Sequence, residues 1–543
     1  MGLTIEERLK QEPAWMQKPV ATWMGKNISV VILLTSIFLL YGFFLAHKID
    51  LVTADLGRHI KNGEILLTDT SVLRTNYYSY TNSDFPVINH HWGSGLIFYL
   101  VWKSAGFSGL HLFFITTSLA ALALFLFAAR RYAGWGIAGI AALAAIPLLA
   151  ERTEIRPEVF TYLFSGTFFL LLSHYRGVVD SAHPDGRRDV LKTGRALWAV
   201  PLIQILWVNT HIYFLLGPLI LGAFLLEALI VQRERFLKLL AVFGATLVAT
   251  LINPFGYRAI TAALTLFENF GYRLAENQSV WFLERFGIQN PTFPIFKVLF
   301  GVLVLSFLIA LYRQWRGIRL AHAFVAGGIS ILALLASRNL ALLGFFFVPL
   351  LAANIHAAFS DRLSGRAIQI VAAVFAAAAL LLSVVFTVPR HFPYWRSFGF
   401  GLENGNSAAA EFLRRENIRG PILNNYDIGG YLIFHLFPKE RVFVDNRPEA
   451  YPAEFFQKTY IPLQEDEGVW RETLARHDFN AIIFHHRDMT PWGQRFLAAR
   501  VQDKDWAPVF ADDRALIFVR RTTEHAQLIA RLELPPETFR LSK

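Results

Sequence analysis

Residues 28–46 read ISVVILLTSIFLLYGFFLA, and residues 49–92 read IDLVTADLGRHIKNGEILLTDTSVLRTNYYSYTNSDFPVINHHW. The first stretch is apolar for long enough to cross a hydrocarbon core, which takes about 17–25 residues. The second is polar and rich in aromatics, with acids at Asp50 and Asp55 and imidazoles at His59, His90 and His91. Beyond it the chain is largely apolar as far as residue 388. Charge held beside apolar helices must find partners or a ligand, so chemistry is sought first in this loop.

The composition agrees with that reading. The 543 residues are 54% hydrophobic and 17% charged, with a mean hydropathy of +0.39. The fold class is a polytopic α-helical membrane protein. Its net charge of +11 is no nucleic-acid signal, because many of the basic residues fall in short loops between spans, where they set orientation. The lack of cysteine excludes disulfides, thiolate nucleophiles and sulfur-ligated metals. The first apolar run lacks a small-residue cleavage site and reads as a retained span. The segment before it, 1–27, carries Lys10, Lys18, Lys26, Trp15 and Trp23, and lies along the interface or forms a plain tail.

Apolar runs recur at 28–47, 108–129, 134–150, 157–175, 196–209, 213–231, 236–252, 296–312, 320–336, 339–356 and 366–388, predicting about 11 spans in a bundle over 28–388. Residues 93–103 read as a helix leading into the second span; if they cross, the count is twelve. With the N-terminus cytoplasmic, the inner loops collect Arg130 and Arg131, the basic residues of 176–195 and 233–238, Arg313, Arg316, Arg319, Arg362 and Arg366. That is the positive-inside pattern. The outer side then receives the 48–107 loop, ERTEIRPE (151–158), Asn209–His211, the 253–295 loop, Ser337–Asn339 and the tail 389–543. In the tail, 404–521 predicts a small extracytoplasmic α/β domain. Its helices are expected at 408–417 and 467–477, and its strands in GPILNN, ERVFVDN, NAIIFHH and ALIFVRR.

Asp55 is the first candidate for catalysis. A carboxylate here can take a proton from an incoming hydroxyl or bind a divalent cation, Mg²⁺ or Mn²⁺. The plainer reading is that it caps a helix over 56–64 and pairs with Arg58 or His59. Asp50 is the second candidate. In NHHW, an extended chain would send His90 and His91 to opposite sides, and no standard zinc spacing is present. Trp92 stacks on a sugar or anchors at the interface. In ERTEIRPE, Arg156 is placed to meet a phosphate, or to tie helices together through Glu154 or Glu158. Asn209, His211 and Arg258 border the same outer side, as do Arg338 and Asn339. Arg338, alone between two apolar runs, needs an anion. The polar pairs Asn424–Asp427 and Asp445–Arg447 read as strand-end turns.

These motifs carry a resemblance. Asp55–Leu56 with His59 and Gly63 forms DLxxHxxxG, His90 with Trp92 forms HxW, and Arg156–Pro157 opens a span. With WVNTH, INPFG and NNYDIGGYLIF…VFVDNRPEAY, they make nearly the whole chain resemble the GT-C superfamily of membrane glycosyltransferases, and within it bacterial members. The resemblance implies a sugar donor on polyprenyl phosphate or pyrophosphate, an essential acid in the first outer loop, residence in the inner membrane and a glycan or lipid acceptor. Two departures stand out: Asp55 is followed by leucine rather than a second acid, and no WWD motif is present. Protein O-mannosylation and asparagine glycosylation are therefore not expected. In the implied mechanism Asp55 deprotonates the acceptor, while Arg156 and Arg338, with His90, neutralise the leaving phosphate. The alternatives are a transporter or flippase of a lipid-linked or amphipathic substrate, and a non-catalytic envelope-assembly protein.

Overall fold

The structure is a computed structural model that describes residues 27–180, 187–231, 233–265, 268–314, 319–359, a broken set between 367 and 381, 397–488 and 490–539. Residues 1–26 and most of the run 366–388, with their sequence expectations, lie outside the described residues. The principal helices are α1 (Ile28–Leu45), α2 (Leu56–Leu66), α3 (Trp92–Leu149), α4 (Glu158–Asp180), α5 (Ala199–Thr210), α6 (Leu216–Val231), α7 (Arg233–Thr250), α8 (Thr292–Arg313), α9 (Leu320–Leu335), α10 (Leu340–Phe359) and α11 (Gly429–Leu436). They fall on the apolar runs, except α2 in the first loop and α11 in the tail. Among the described residues, five helical segments, 28–45, 92–149, 212–231, 292–313 and 337–359, are long and apolar enough to cross a membrane.

A straight helix of 58 residues would far exceed a bilayer core of about 30 Å, at about 1.5 Å per residue. α3 is not straight: Gly106 and Gly134 within it have φ of +64° and +74°, a conformation that interrupts a right-handed helix. The breaks isolate 92–105 as a separate helix ahead of the next apolar stretch.

The chain divides into two compact units. The first comprises 1–45, 122–152 and 284–396. At its centre is α10, buried without interruption from Leu340 to Leu350, as expected of a helix apolar on every side. Phe345 and Phe346 of α10 meet Phe125, and Gly344 lets Leu148 approach. α8 and α9 pack on α10.

The second unit comprises 46–121, 153–283 and 397–543. It holds the helices α4–α7, the polar loop and the tail domain. The tail sheet has the order β1 (Ile422–Asn424), β2 (Ala481–His485), β4 (Ala515–Arg520), β3 (Trp506–Ala511). β1 runs parallel to β2, and the other pairs are antiparallel. Helices Ala408–Arg415 and Glu467–His477 stand where the sequence predicts them. Two expectations are corrected. ERVFVDN is not a strand of this sheet: its Val442 pairs with Ser79 of the first loop, and Tyr80 N donates to Val442 O at 3.1 Å. β3 was not anticipated, because WAPVFA contains Pro508. The proline is tolerated because β3 is an edge strand, irregular between Pro508 and Phe510.

The first loop and the tail domain therefore form one unit. Val87 of the loop joins the domain core around Phe443, Phe456, Trp470 and Phe518, and Tyr80 OH donates to Ile422 O at 2.8 Å. α2 is clamped through glycines. A Cβ on Gly63 would lie 2.2 Å from Gly95 O, and one on Gly57 would lie 3.0 Å from Gly430 O in α11. Only glycine permits such approaches.

Candidate active site

Asp55 sits at the N-cap position of α2, but its side chain makes no cap hydrogen bond. The helix-capping reading is thereby corrected. The reason is a competing partner: the Asn446 amide of the tail domain donates to Asp55 Oδ1. Asn446 Oδ1 in turn accepts from Arg58 Nε at 3.1 Å, and Arg58 Nη2 stands 4.0 Å from Asp55 Oδ2. The two bonds fix which way the amide faces. Asp55 is densely surrounded, yet its side chain keeps 26% exposure, as at the base of a recess. Burial pushes its carboxyl above the ordinary range, against the opposing pull of Arg156 and Arg58.

Asn446 is presented by a braced turn. Arg447 forms a bidentate pair with the fully buried Asp445 at 2.6 and 2.8 Å, and donates to Asn76 Oδ1 of the first loop at 3.0 Å. Glycines again allow the approach: a Cβ on Gly429 would lie 2.6 Å from Asp445 Cα, and one on Gly430 would lie 3.1 Å from Asn446 Nδ2. The GG of NNYDIGGYLIF thus seats α11 on α2 and leaves room for the amide. Asp445–Arg447 is no plain strand-end turn.

Arg156 stands opposite. Its Nε donates to Glu154 at 2.8 Å, its Nη1 reaches Glu276 at 3.2 Å, and Asp55 Oδ2 lies 3.9 Å from Nη1. Glu276 comes from the short turn Ala275–Asn277, more than a hundred residues away in sequence. Nearby, Tyr272 stacks on Tyr426 at 4.4 Å, and the buried Tyr426 hydroxyl has no hydrogen-bond partner among the described residues.

No family model matches the chain, and no curated protein matches it. Solved structures do. The archaeal oligosaccharyltransferase AglB from Archaeoglobus fulgidus, in complex with an inhibitory peptide and a dolichol-phosphate, aligns at 12% identity over 90% of this chain and 74% of that chain, with a TM-score of 0.57. The apo form of the Archaeoglobus fulgidus oligosaccharyltransferase aligns at 11% identity over 85% and 70%, with a TM-score of 0.52. A complex of it with Zn and sulfate aligns at 12% identity over 90% and 73%, with a TM-score of 0.51. The likeness is one of fold: a bundle of apolar helices followed by a small sheet-bearing domain, shared at low sequence identity.

Within this fold three imidazoles gather around His91, one of them, His59, a turn along α2 from Asp55. His91 lies 5.3 Å from His59, 4.1 Å from His90 and 5.1 Å, stacked, from His211. NHHW is a turn rather than an extended strand, with Trp92 N donating to Asn89 O at 3.2 Å, so the two histidines lie side by side and not on opposite faces. His211 Nδ1 accepts from Tyr213 N at 3.4 Å, so Thr161 donates to it at 2.7 Å and the His211 proton is on Nε2. Burial, with Arg58 and neighbouring imidazoles adding to it, pushes His59 and His91 well below the ordinary histidine range, and both are neutral.

Asp50, Trp92, Asn209 and Asn339 have structural partners of their own. Asp50 accepts from Val52 N at 2.9 Å and Asn406 at 2.7 Å, and faces Arg514 at 3.7 Å; it joins the loop to the tail domain, away from the Asn446 clamp. Trp92 donates to Asn209 at 3.1 Å, and Asn209 donates to Ile205 O and Ile252 O, so this pair ties helix ends together. Arg258 is exposed at the start of Arg258–Leu264. Arg338 and Asn339 belong to the turn Ser337–Asn339 of the other unit, where Asn339 donates to Leu332 O at 2.8 Å. Sequence reasoning missed Asn446 as a partner of Asp55 and Glu276 as a partner of Arg156. The available signal was the VDNRPE segment, a run of charge without the alternation of a strand.

Proposed function

We propose that the chain transfers a sugar from a lipid-phosphate-linked donor to a hydroxyl of a glycan or lipid acceptor, with Asp55 as the base. The observation that carries this reading is the clamped carboxylate: Asp55, held by Asn446 between Arg58 and Arg156, pushed toward higher basicity by burial and still exposed to an incoming group. The fold's likeness to an oligosaccharyltransferase complexed with a dolichol-phosphate supports it. The polyprenyl phosphate carrier, the inner-membrane location and an outer-facing site are part of the same proposal, supported by the basic residues of the predicted inner loops.

In this reading the acceptor oxygen attacks the anomeric carbon as its proton passes to Asp55. The bond from that carbon to the phosphate oxygen breaks, and the electron pair leaves on the phosphate. Arg156, with 18% exposure, faces the recess and opposes the charge that develops there. The neutral imidazoles of His59 and His91, with His90 and His211 packed against His91, add polar groups one turn of α2 from the acid. Mg²⁺ or Mn²⁺ would need several carboxylate oxygens drawn to one point. Among the described residues, no three His, Asp or Glu side chains stand close enough to hold a metal. Asp55, Glu154 and Glu276 are instead spread around the Arg156 guanidinium. This arrangement does not fit a divalent cation.

The test is sugar transfer from a polyprenyl-phosphate-linked donor in proteoliposomes, beside donor binding. Asp55→Asn is expected to lower transfer by roughly 10²–10⁴-fold, the usual worth of positioned proton transfer, while donor binding persists. Full transfer by Asp55→Asn would refute the assignment of the base. Movement of the intact donor across the bilayer with no transfer to any acceptor would replace the enzyme by a transporter.

A further inference from the structure

Three carboxylates from three separate segments meet one guanidinium. Asp55 opens α2, Glu154 lies in the turn before α4, and Glu276 lies in the turn Ala275–Asn277. Glu154 takes the Nε and Nη2 edge of Arg156, at 2.8 and 2.7 Å. Nη1 is shared by Glu276 at 3.2 Å and Asp55 at 3.9 Å. Arg58 faces the same Asp55 oxygen, Oδ2, at 4.0 Å.

A guanidinium and a divalent cation make different demands on the same acids. The guanidinium is planar, permanently charged, and presents its donors as a fork, so its partners are held apart around its rim. A cation of the Mg²⁺ or Ca²⁺ kind draws carboxylate oxygens to about 2.0–2.6 Å around one point. Here that central point is filled by the Arg156 head group. Its position is also set by the chain: Arg156 directly precedes Pro157 and the first turn of α4.

We infer that Arg156 is the built-in cation of this site: its guanidinium gathers Asp55, Glu154 and Glu276 in the place a divalent metal would need, and meets the donor phosphate without one. The inference deepens the proposed transfer reading by naming the charge that serves it. It has two physical consequences. The charge is always present and already oriented, so it requires no reorganisation as the leaving group departs. Removing the charge leaves three acids with no cation between them, and a divalent cation could then draw them together.

The experiment is a Mn²⁺ titration of the full-length, chelator-stripped protein in nanodiscs, read by the paramagnetic resonance signal of free Mn²⁺. The wild type is expected to take up no stoichiometric Mn²⁺, and Arg156→Lys, which keeps the charge, to behave like it. Arg156→Gln is expected to bind one Mn²⁺ per chain, tighter than wild type by on the order of 100-fold or more, because a cation at contact distance no longer opposes it. Adding Glu276→Gln to that variant is expected to abolish the gained site. The inference is overturned if the wild type binds one Mn²⁺ and Glu276→Gln abolishes that binding, or if folded Arg156→Gln binds no better than wild type. If Arg156→Gln does not fold, the comparison of wild type with Glu276→Gln decides alone. The titration does not depend on transfer: a chain without transferase activity still gives the Mn²⁺ result. Conversely, wild-type transfer that stops with a chelator and returns with Mn²⁺ would overturn the inference and leave the transfer reading standing.

Discussion

Replacing Asn446 with alanine removes two hydrogen bonds at once, the one donated to Asp55 and the one accepted from Arg58. Hydrogen bonds to charged groups contribute about 1.5–3 kcal/mol each. Asp55 keeps 26% exposure, so water can replace part of the loss, and the net effect should lie near the value of one such bond. A loss of about 1.5–3 kcal/mol in the transition state is roughly a 10–150-fold fall in transfer. The substitution also has a signature in pH. The lost N–H favoured the ionised carboxyl, so the Asp55 pKa should rise further and the acidic limb of the rate profile should move to higher pH. The assay is kcat/KM for transfer from the lipid-linked donor across the pH range, with thermal unfolding measured in parallel. A residue that merely supports the fold would lower stability without moving the acidic limb. If rate and acidic limb both match wild type in a protein of unchanged stability, Asn446 does not position Asp55.

Three further outcomes are expected. Gly63→Ala should destabilise the chain by about 1–3 kcal/mol in thermal unfolding, through overpacking against Gly95 O at 2.2 Å, whereas Gly42→Ala, with nothing within 4 Å, should not; equal effects would remove the argument for the α2 clamp. Stability should fall as pH drops below about 6.5, because the unfolded chain then binds protons that the depressed His59 and His91 refuse, and the double variant His59→Gln/His91→Gln should flatten that slope in the same unfolding measurement. Reporter fusions at Asp185 and Gly468 should report opposite sides of the membrane, and the same side for both would reject the proposed orientation.

Much of the architecture was legible because it depends on short-range patterning. Apolar runs of membrane length became helices, 408–415 stands where amphipathic spacing places it, and 467–477 is the helix expected there. Asp55 and Arg156 were conspicuous because an isolated charge beside hydrocarbon demands a partner. β3 escaped because Pro508 argues against a strand until its edge position is known. ERVFVDN was misread because its composition suits a strand, while its pairing partner, Ser79, lies in the first loop.

The sequence by itself determined that this chain is a polytopic membrane protein with an acid-bearing first loop and an α/β tail, since hydropathy and charge spacing act locally and show along the chain. Only the tertiary structure decided which groups share the site. Asn446 reaches Asp55 across 391 residues, and Glu276 reaches Arg156 across 120. No periodicity encodes such pairings. They follow from glycines that let α2 and α11 touch, and from a buried Asp445–Arg447 pair that aims one amide. The same packing withheld the Asp55 side chain from its helix cap, because the Asn446 amide of the tail domain reaches that carboxylate first.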